Sequence, residues 1–307
     1  MIDIIIPAYN SHNTIKKTLS SIANQSIIDK CNVIIVNDGS GIDYSKEINF
    51  FKKYMNIIEL KISKNQGVGY ARQFGVENSK SEFLMFVDSD DCLNDYFSIE
   101  SLYKSIVLGY DFVLSYVLVE DKTKKFSLEN FFCGNLHGKM YRREFLTNNS
   151  IKFNNFRIHE DNCFNQEIIL NNPKINCINE VTYIYKNNVN SLTNSMDKYN
   201  LKYIDSMVYV MDKMKRENDL SYNNFIFSTI LYLYYFYLDI DSEVEKNKYL
   251  KKCSNVYKYY KKYCTNNVDK DRIIKEKVVD ILKKNIMVEK YLLPTISFNE
   301  FINLIKK

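Results

Sequence analysis

Tryptophan is absent from the chain, and none of its seven cysteines stands in a C-x-x-C pair. An odd, scattered set of thiols argues against a disulfide framework or a zinc ribbon and for a reducing, cytoplasmic setting. No dense basic run occurs. The net charge of +5 is spread thinly, so nucleic acid is not an expected partner. The opening residues, MIDIIIPAYN, lack the basic flank of a signal peptide, and their apolar run stops at Pro7; no secretory leader is expected. The longest apolar stretch, FIFSTILYLYYFYL at 225–238, falls short of the ~20 residues that span a bilayer. Its tyrosines fit a packed helix or a membrane-surface contact. A G-x-x-x-x-G-K-[ST] phosphate loop is missing. Gly67-x-Gly69 lacks the third glycine of a dinucleotide fingerprint, which argues against a nicotinamide cofactor. The abundance of Asn, Lys, Tyr and Ile reflects an AT-rich coding sequence rather than chemistry.

What is there begins with 46% hydrophobic and 26% charged residues over 307 positions. That is enough for one large core, or a core with a smaller helical appendage. Short apolar runs at Ile2–Ile6, Asn32–Val36, Ile57–Ile62 and Phe83–Val87 read as strands. Asn13–Asn24, Tyr44–Tyr54 and Gly67–Asn78 read as the helices between them. Alternation of this kind predicts an α/β fold with a mainly parallel, Rossmann-like sheet flanked by helices. Strands at Asp111–Val119 and Val181–Tyr185 and a helix over 160–170 continue the pattern less regularly. From Asp197 onward the pattern turns helical. The polar stretch 188–198 is the expected boundary, giving a catalytic domain over 1–190 and a C-terminal helical region over 191–307.

Each of the first four strands ends in polar or turn-forming residues: Pro7-Ala8-Tyr9-Asn10, Asn37-Asp38-Gly39-Ser40, Asn65-Gln66-Gly67 and Asp88-Ser89-Asp90-Asp91. Ligands of open parallel sheets bind in the crevice outside the carboxyl ends of the strands, so four such ends on one rim point to one site. Strand alternation turns Asp88 and Asp90 the same way. Two adjacent ionised carboxylates call for a cation, or one keeps its proton. Mg²⁺ or Mn²⁺ is the simplest answer, since either takes oxygen ligands and bridges carboxylates to a diphosphate. Asp91 reads as the cap of a next helix, Asn94–Val107. Tyr9 and Asp38 are placed to hold a base by stacking and by accepting an N–H, and Arg72 lies near the rim. Each also has a plain structural reading, as core packing, a turn and a surface charge.

Together the stretches IIIPAYNSHNTIKKTLSSIANQS, VIIVNDGSGID, NQGVGYARQFGVENSKSEFLMFVDSDD, HGKMYRREFL and HEDNCF resemble the family 2 glycosyltransferases, which have the GT-A nucleotide-sugar-binding fold. The resemblance covers about residues 1–190. It implies a donor nucleotide held by Pro7, Ala8, Tyr9, Asp38, Arg72 and Ser89, and a D-x-D motif with Asp88 toward the ribose and Asp90 on Mn²⁺ or Mg²⁺. Many members carry two acids where this chain has Asn37-Asp38.

The same resemblance makes Asp161 the base that takes the acceptor's proton, giving inversion, with Glu160 orienting acceptor or base. Helix-dipole acidity is the competing reading of both. His159 is a further candidate for the diphosphate or its metal, or a supporting hydrogen bond. Lys186, Ser191 and Thr193 fall where relatives carry a lid; a solvated linker is the alternative. The expected donor is a UDP-sugar and the expected acceptor a glycan, a lipid-linked intermediate or a protein. The C-terminal helices are expected to serve acceptor docking, self-association or peripheral contact with the cytoplasmic membrane face. A sugar nucleotidyltransferase is disfavoured because PAYNSHNT is not its glycine- and arginine-rich loop. A non-catalytic nucleotide-sugar-binding protein is disfavoured because Asp90 and Asp161 are both present.

Overall fold

The structure, a computed structural model, describes residues 1–121, 123–129, 134–186, 201–217, 219–264, 268–270, 273 and 297–306. The chain divides into two compact units, Met1–Ser195 and Met196–Lys307. The stretch 188–198, where the boundary is expected, lies outside the described residues, as do Ser191 and Thr193.

The first unit opens with β1 (Ile2–Ala8), α1 (Ile15–Ala23), β2 (Cys31–Asp38), α2 (Ser45–Phe51), β3 (Asn56–Ile62), α3 (Val68–Glu77) and β4 (Phe83–Phe86). It continues with β5 (Cys92–Leu93), α4 (Ser98–Ile106), β6 (Phe112–Glu120), β7 (Phe126–Glu129), β8 (Lys139–Arg142), α5 (Arg143–Asn148), α6 (Glu160–Leu170) and β9 (Ile175–Tyr185). Among the described residues these strands form one sheet in the order β3-β2-β1-β4-β8-β6-β9-β5, with β7 paired to β6. Strands β1 to β4 pair in parallel. β8 runs against both β4 and β6, so β6 and its parallel partner β9 again run with β1. The sheet is therefore mostly parallel, as the alternation predicts.

Every residue of β1 is buried, because helices cover both faces of the sheet. Alternation then sorts its side chains. Ile2, Ile4, Ile6 and Ala8 join Ile15, Leu19 and Ile22 of α1, Phe51 of α2 and Leu102 of α4 in one apolar cluster. Ile5 faces the other way, toward Ala71 of α3, Leu146 of α5 and Phe164 of α6. Full burial of such side chains contributes about 1.5–3 kcal/mol each. Pairing of β1 with β4 stops at Ile5 opposite Phe86. Pro7, which has no N–H for a ladder, lies two residues beyond, and the crevice opens there.

Strands β5, β7 and β8, helix α5 and the first half of β9 do not show in the apolar pattern. The reason is plain in β8, where Lys139 is 1% exposed. Its ammonium donates to the Asn135 carbonyl and lies 5.6 Å from the centre of the Phe112 ring. A charged residue inside a core strand hides the strand from a hydrophobicity reading. Helix α4 starts at Ser98 rather than Asn94.

In the second unit α7 (Leu201–Lys213), α8 (Leu220–Leu238), α9 (Glu243–Tyr263) and α10 (Phe298–Ile305) are helical. The tyrosine-rich α8 is a core helix. Tyr222 is buried and donates to the Met211 carbonyl, while Tyr249 of α9 donates to the Leu233 carbonyl. Among the described residues no helix is long and apolar enough to cross a membrane, and Cys31, Cys92, Cys253 and Cys264 are free thiols.

One buried acid pins the amino-terminal ends of the sheet. Asp3 of β1 accepts from the Lys80 and Ser81 amides, the Ser81 hydroxyl and the Asn32 amide, at 2.6–2.8 Å. Burial works to raise its pKa, yet these donors outweigh it and hold the group below its ordinary 3.8. A depressed acid stabilises the fold above its unfolded pKa and loses that contribution as pH falls through the folded one. Asp3→Asn should cost about 2–3 kcal/mol at neutral pH, given these four bonds and a fifth from the Arg143 guanidinium at 3.4 Å, all to a charged acceptor. The difference in melting temperature between the two proteins should shrink as pH drops below about 4. A gap that stays constant down to pH 2 would remove the assignment.

Candidate active site at the strand carboxyl ends

The loops after β1, β2 and β3 are fastened to one another before any ligand arrives. Asp38 accepts from the Gln66 and Gly67 amides at 2.8 and 2.9 Å, tying the end of β2 to the start of α3. Gly39 has φ +67°, and a Cβ there would lie 2.5 Å from the Asn65 nitrogen, so glycine is required on both counts. Asn37, in place of the first acid, accepts from the Ser40 amide at 3.0 Å and donates to Glu59 at 3.4 Å. Buried Tyr44 joins Ser40 to the Ser11 amide. Above this base Tyr9 is 52% exposed, presenting a ring to the rim, while Pro7 and Ala8 are buried in β1.

The acidic stretch does not continue β4. It turns, with the Asp91 amide donating to the Asp88 carbonyl at 3.1 Å. The alternation expected of a strand would pair Asp88 with Asp90; the turn instead brings Asp88 toward Asp91. Asp91 is no helix cap. It is 1% exposed and accepts from the Tyr183 hydroxyl at 2.8 Å and the Lys186 amide at 2.7 Å. Asp95 supplies the local hydrogen bonds at the start of α4, to the Phe97 amide and the Ser98 hydroxyl. Ser89 is 2.7 Å from the Ser11 hydroxyl, and Asp90 is half-buried.

His137, which the sequence reading did not single out, completes the turn. Its Nε2 lies 3.3 Å from Asp88 and 3.6 Å from Asp91. Its ring is clamped by Tyr183 at 4.8 Å and Tyr185 at 4.9 Å. Burial pushes Asp91 up to about 8, with Asp88 and Asp90 adding to the rise and His137 opposing it. Burial works against a charged imidazole, but the bond to Asp88 and the charge of Asp91 outweigh it and raise the His137 pKa. Oxygen and nitrogen donors of Asp88, Asp91 and His137 lie within 4.8 Å of one another. Of these the half-buried Asp88 carboxylate, an oxygen donor of the kind Mn²⁺ or Mg²⁺ takes, is the one open to a cation, since Asp91 and His137 are buried.

Beneath the acids runs Arg72. It is 4% exposed and donates through Nη2 to Asp88 at 2.6 Å and through Nη1 to Glu160 at 2.5 Å. Gly69 makes this possible, because a Cβ there would lie 2.5 Å from the Asn154 carbonyl and 2.9 Å from Glu160 Cγ. Burial opposes the charge of Asp88, but Arg72 and His137 hold its pKa well below the usual carboxylate range. Burial and neighbouring Asp161 push Glu160 up to about 7, against the pull of Arg72. Asp161 follows in the first turn of α6, half-buried, accepting from the Asn162 amide at 2.8 Å. His159 caps α6 with φ +70°, an uncommon conformation for a side chain of its size, and its Nδ1 is 3.3 Å from the Asn162 side-chain amide.

A crevice of acids at the switch point of a parallel sheet has relatives. The profile of glycosyl transferase family 2 matches residues 3–169, more than half of the chain. The chain belongs to that family. Among curated relatives it is 26% identical over 201 residues to the poly(ribitol-phosphate) beta-N-acetylglucosaminyltransferase TarP of Staphylococcus aureus, a match covering 59% of this chain and 61% of TarP. It is 28% identical over 214 residues to the minor teichoic acid biosynthesis protein GgaA of Bacillus subtilis, covering 61% of this chain and 47% of GgaA. The chain thus spans less than two thirds of the length of these relatives. In fold it is similar to S. aureus TarS 1-349 in complex with UDP-GlcNAc, with TM-score 0.72, 18% identity, and 83% and 80% of the two chains covered. It also resembles the mannosyltransferase PcManGT of Pyrobaculum calidifontis in complex with GDP-Man and Mn²⁺, with TM-score 0.58, 11% identity, and 99% and 85% covered.

Of the residues the family resemblance implies, the structure joins Asp88, Arg72 and Glu160 in one ion network and sets Asp161 beside it. Arg72 lies under the acids rather than at the open rim. The histidine that reaches Asp88 is His137, not His159. Removing the guanidinium leaves buried Glu160 without its cation and Asp88 with His137 alone, so Arg72→Met should destabilise the protein by about 3–5 kcal/mol near neutral pH. The loss should shrink toward pH 4 as Glu160, already raised, and Asp88, released from the guanidinium in the variant, take up protons. Chemical denaturation at the two pH values checks this; equal losses would mean the ion network carries no net stability.

Proposed function

We propose that the protein is an inverting glycosyltransferase that moves a sugar from a UDP-sugar to a hydroxyl of a polymeric or lipid-linked acceptor. The observation that carries the reading is the Asp88–Arg72–Glu160 network, which holds the acids of the donor side and the first turn of α6 in a fixed relation. The base would stack on Tyr9, with Asp38 and the β2 turn bordering it. Asp88 would face the ribose, and Asp88 and Asp90 would hold Mn²⁺ or Mg²⁺, with His137 and Asp91 bracing Asp88 from behind. When bound, that cation neutralises charge on the departing diphosphate.

Asp161 would accept the proton of the acceptor hydroxyl as its oxygen attacks the anomeric carbon. The bond from that carbon to the diphosphate breaks with its electrons, and the configuration inverts. Glu160, locked on Arg72, keeps α6 and hence Asp161 in place. UDP-GlcNAc in the TarS complex and GDP-Man with Mn²⁺ in the PcManGT complex support the donor and metal class. The poly(ribitol-phosphate) named for TarP favours a polyol-phosphate acceptor over a protein.

UDP should raise the melting temperature with Mn²⁺ or Mg²⁺ present and not in excess EDTA, as expected of a ligand that binds only the native, metal-loaded site. An equal rise in EDTA would sink the metal assignment. A panel of UDP-sugars scored for Mn²⁺-dependent hydrolysis would then identify the donor.

Asp161→Asn should keep the UDP–Mn²⁺ thermal shift while transfer falls by roughly 10²–10⁴, the usual contribution of a positioned base. Near-native turnover would hand that role to another group, Glu160 first. Loss of donor binding would move Asp161 to the diphosphate site.

A further inference from the structure

From Lys246 to Tyr263 helix α9 carries seven lysines and no acidic residue. Its inward side buries Tyr249, Cys253, Val256 and Tyr263. At 3.6 residues per turn, the exposed Lys248, Lys251, Lys258, Lys261 and Lys262 fall on the opposite side, in one strip. Lys252 reaches Asp205 at 2.5 Å and Lys262 reaches Glu217 at 3.2 Å. Lys248, Lys251, Lys258 and Lys261 make no salt bridge among the described residues.

Spacing makes this strip costly in isolation. Lys248 stands three and four residues from Lys251 and Lys252, and Lys258 stands three and four from Lys261 and Lys262. Like charges at these separations destabilise a helix. An external anion running along the helix removes that repulsion. From Lys248 to Lys262 the strip is about 21 Å long at 1.5 Å per residue, which suits an extended chain better than a single phosphate. Between the lysines lie Ser254 and Asn255, and the exposed apolar residue of this helix is Val244 at its start. A helix that lies on a membrane seats exposed bulky apolar side chains among its basic ones; here the large side chains beside the strip, Leu250, Tyr257 and Tyr259, are half-buried, and Tyr259 is bonded to Asp212. Ammonium groups are point-charge partners for phosphate.

We propose that the outward face of α9, through Lys248, Lys251, Lys258 and Lys261, docks a linear polyphosphodiester, the acceptor polymer of the transferase. That the polymer is the acceptor rests on the glycosyltransferase reading; the docking itself does not. Docking of a polymeric acceptor on a strip of its own raises the effective concentration of its hydroxyls without adding contacts at the reacting sugar.

The test uses the full chain and fluorescently labelled poly(glycerol phosphate), with binding followed by anisotropy across a salt series. The wild type should bind and weaken steeply with salt. The K248Q/K251Q/K258Q/K261Q variant should bind at least tenfold more weakly. Its slope of log Kd against log salt should be lower by about 3, since each neutralised charge on a single-stranded polyanion contributes about 0.7. Its melting temperature should be equal or higher, because the like-charge pairs are gone, and its UDP–Mn²⁺ thermal shift should be unchanged. Equal affinity and slope for the variant would overturn the proposal. Binding to anionic phosphatidylglycerol vesicles without binding to the polymer would overturn it in favour of a lipid surface. Equal affinity for single-stranded DNA would overturn the polyol-phosphate assignment. Polymer binding that depends on the lysines while UDP–Mn²⁺ has no effect would uphold the docking strip and refute the transferase reading.

Discussion

A buried guanidinium between two carboxylates is the constraint on which the rest of the site depends. Arg72 comes from the first turns of α3, Asp88 from the turn after β4 and Glu160 from the start of α6. Arg72 and Asp88 are 16 residues apart in the chain and Glu160 is 88 beyond Arg72, so the fold must bring α6 back to the strand ends for the three to meet. Removing charges from water is expensive, and the cost is offset only when partners are close and well oriented. The three residues therefore have little freedom to drift. A catalytic arrangement benefits from that rigidity, because it leaves the reacting groups less to organise when substrate arrives.

Around this brace the site is layered. Asp38 and Gly39 join the loops of β2 and β3 through backbone contacts. The Ser11–Ser89 bond fastens the acid turn to the loop after β1. His137, clamped between two tyrosine rings, answers the repulsion between Asp88 and Asp91 through the Asp88 oxygen that Arg72 does not hold. Three carboxylates at the end of one strand are thus tolerable, since protein cations and donors receive two of them and a divalent ion suits the cluster.

The parallel half of the fold was legible because its strands are short, apolar and separated by amphipathic helices. Asp88, Glu160 and Asp161 were legible through motifs. His137 and Asp91 were not, for different reasons. His137 gains its meaning from a loop ending at Gly138, with φ +63°, and from tyrosines some 46 residues later in the chain. Asp91 looked like a helix cap because residue spacing cannot distinguish a turn from the end of a strand. β8 was invisible because Lys139, one of its four residues, is a buried charge. Periodicity reports what faces the core, and it fails where a polar group is buried with a partner from elsewhere.

The bond from the Lys186 amide to Asp91 has a mechanical corollary. Lys186 is the residue at which the chain leaves β9. Any tension or slack transmitted along the backbone at that point is one hydrogen bond from Asp91 and two from Asp88. The exit of the last sheet strand is therefore geared to the acid turn, and what pulls on one registers at the other.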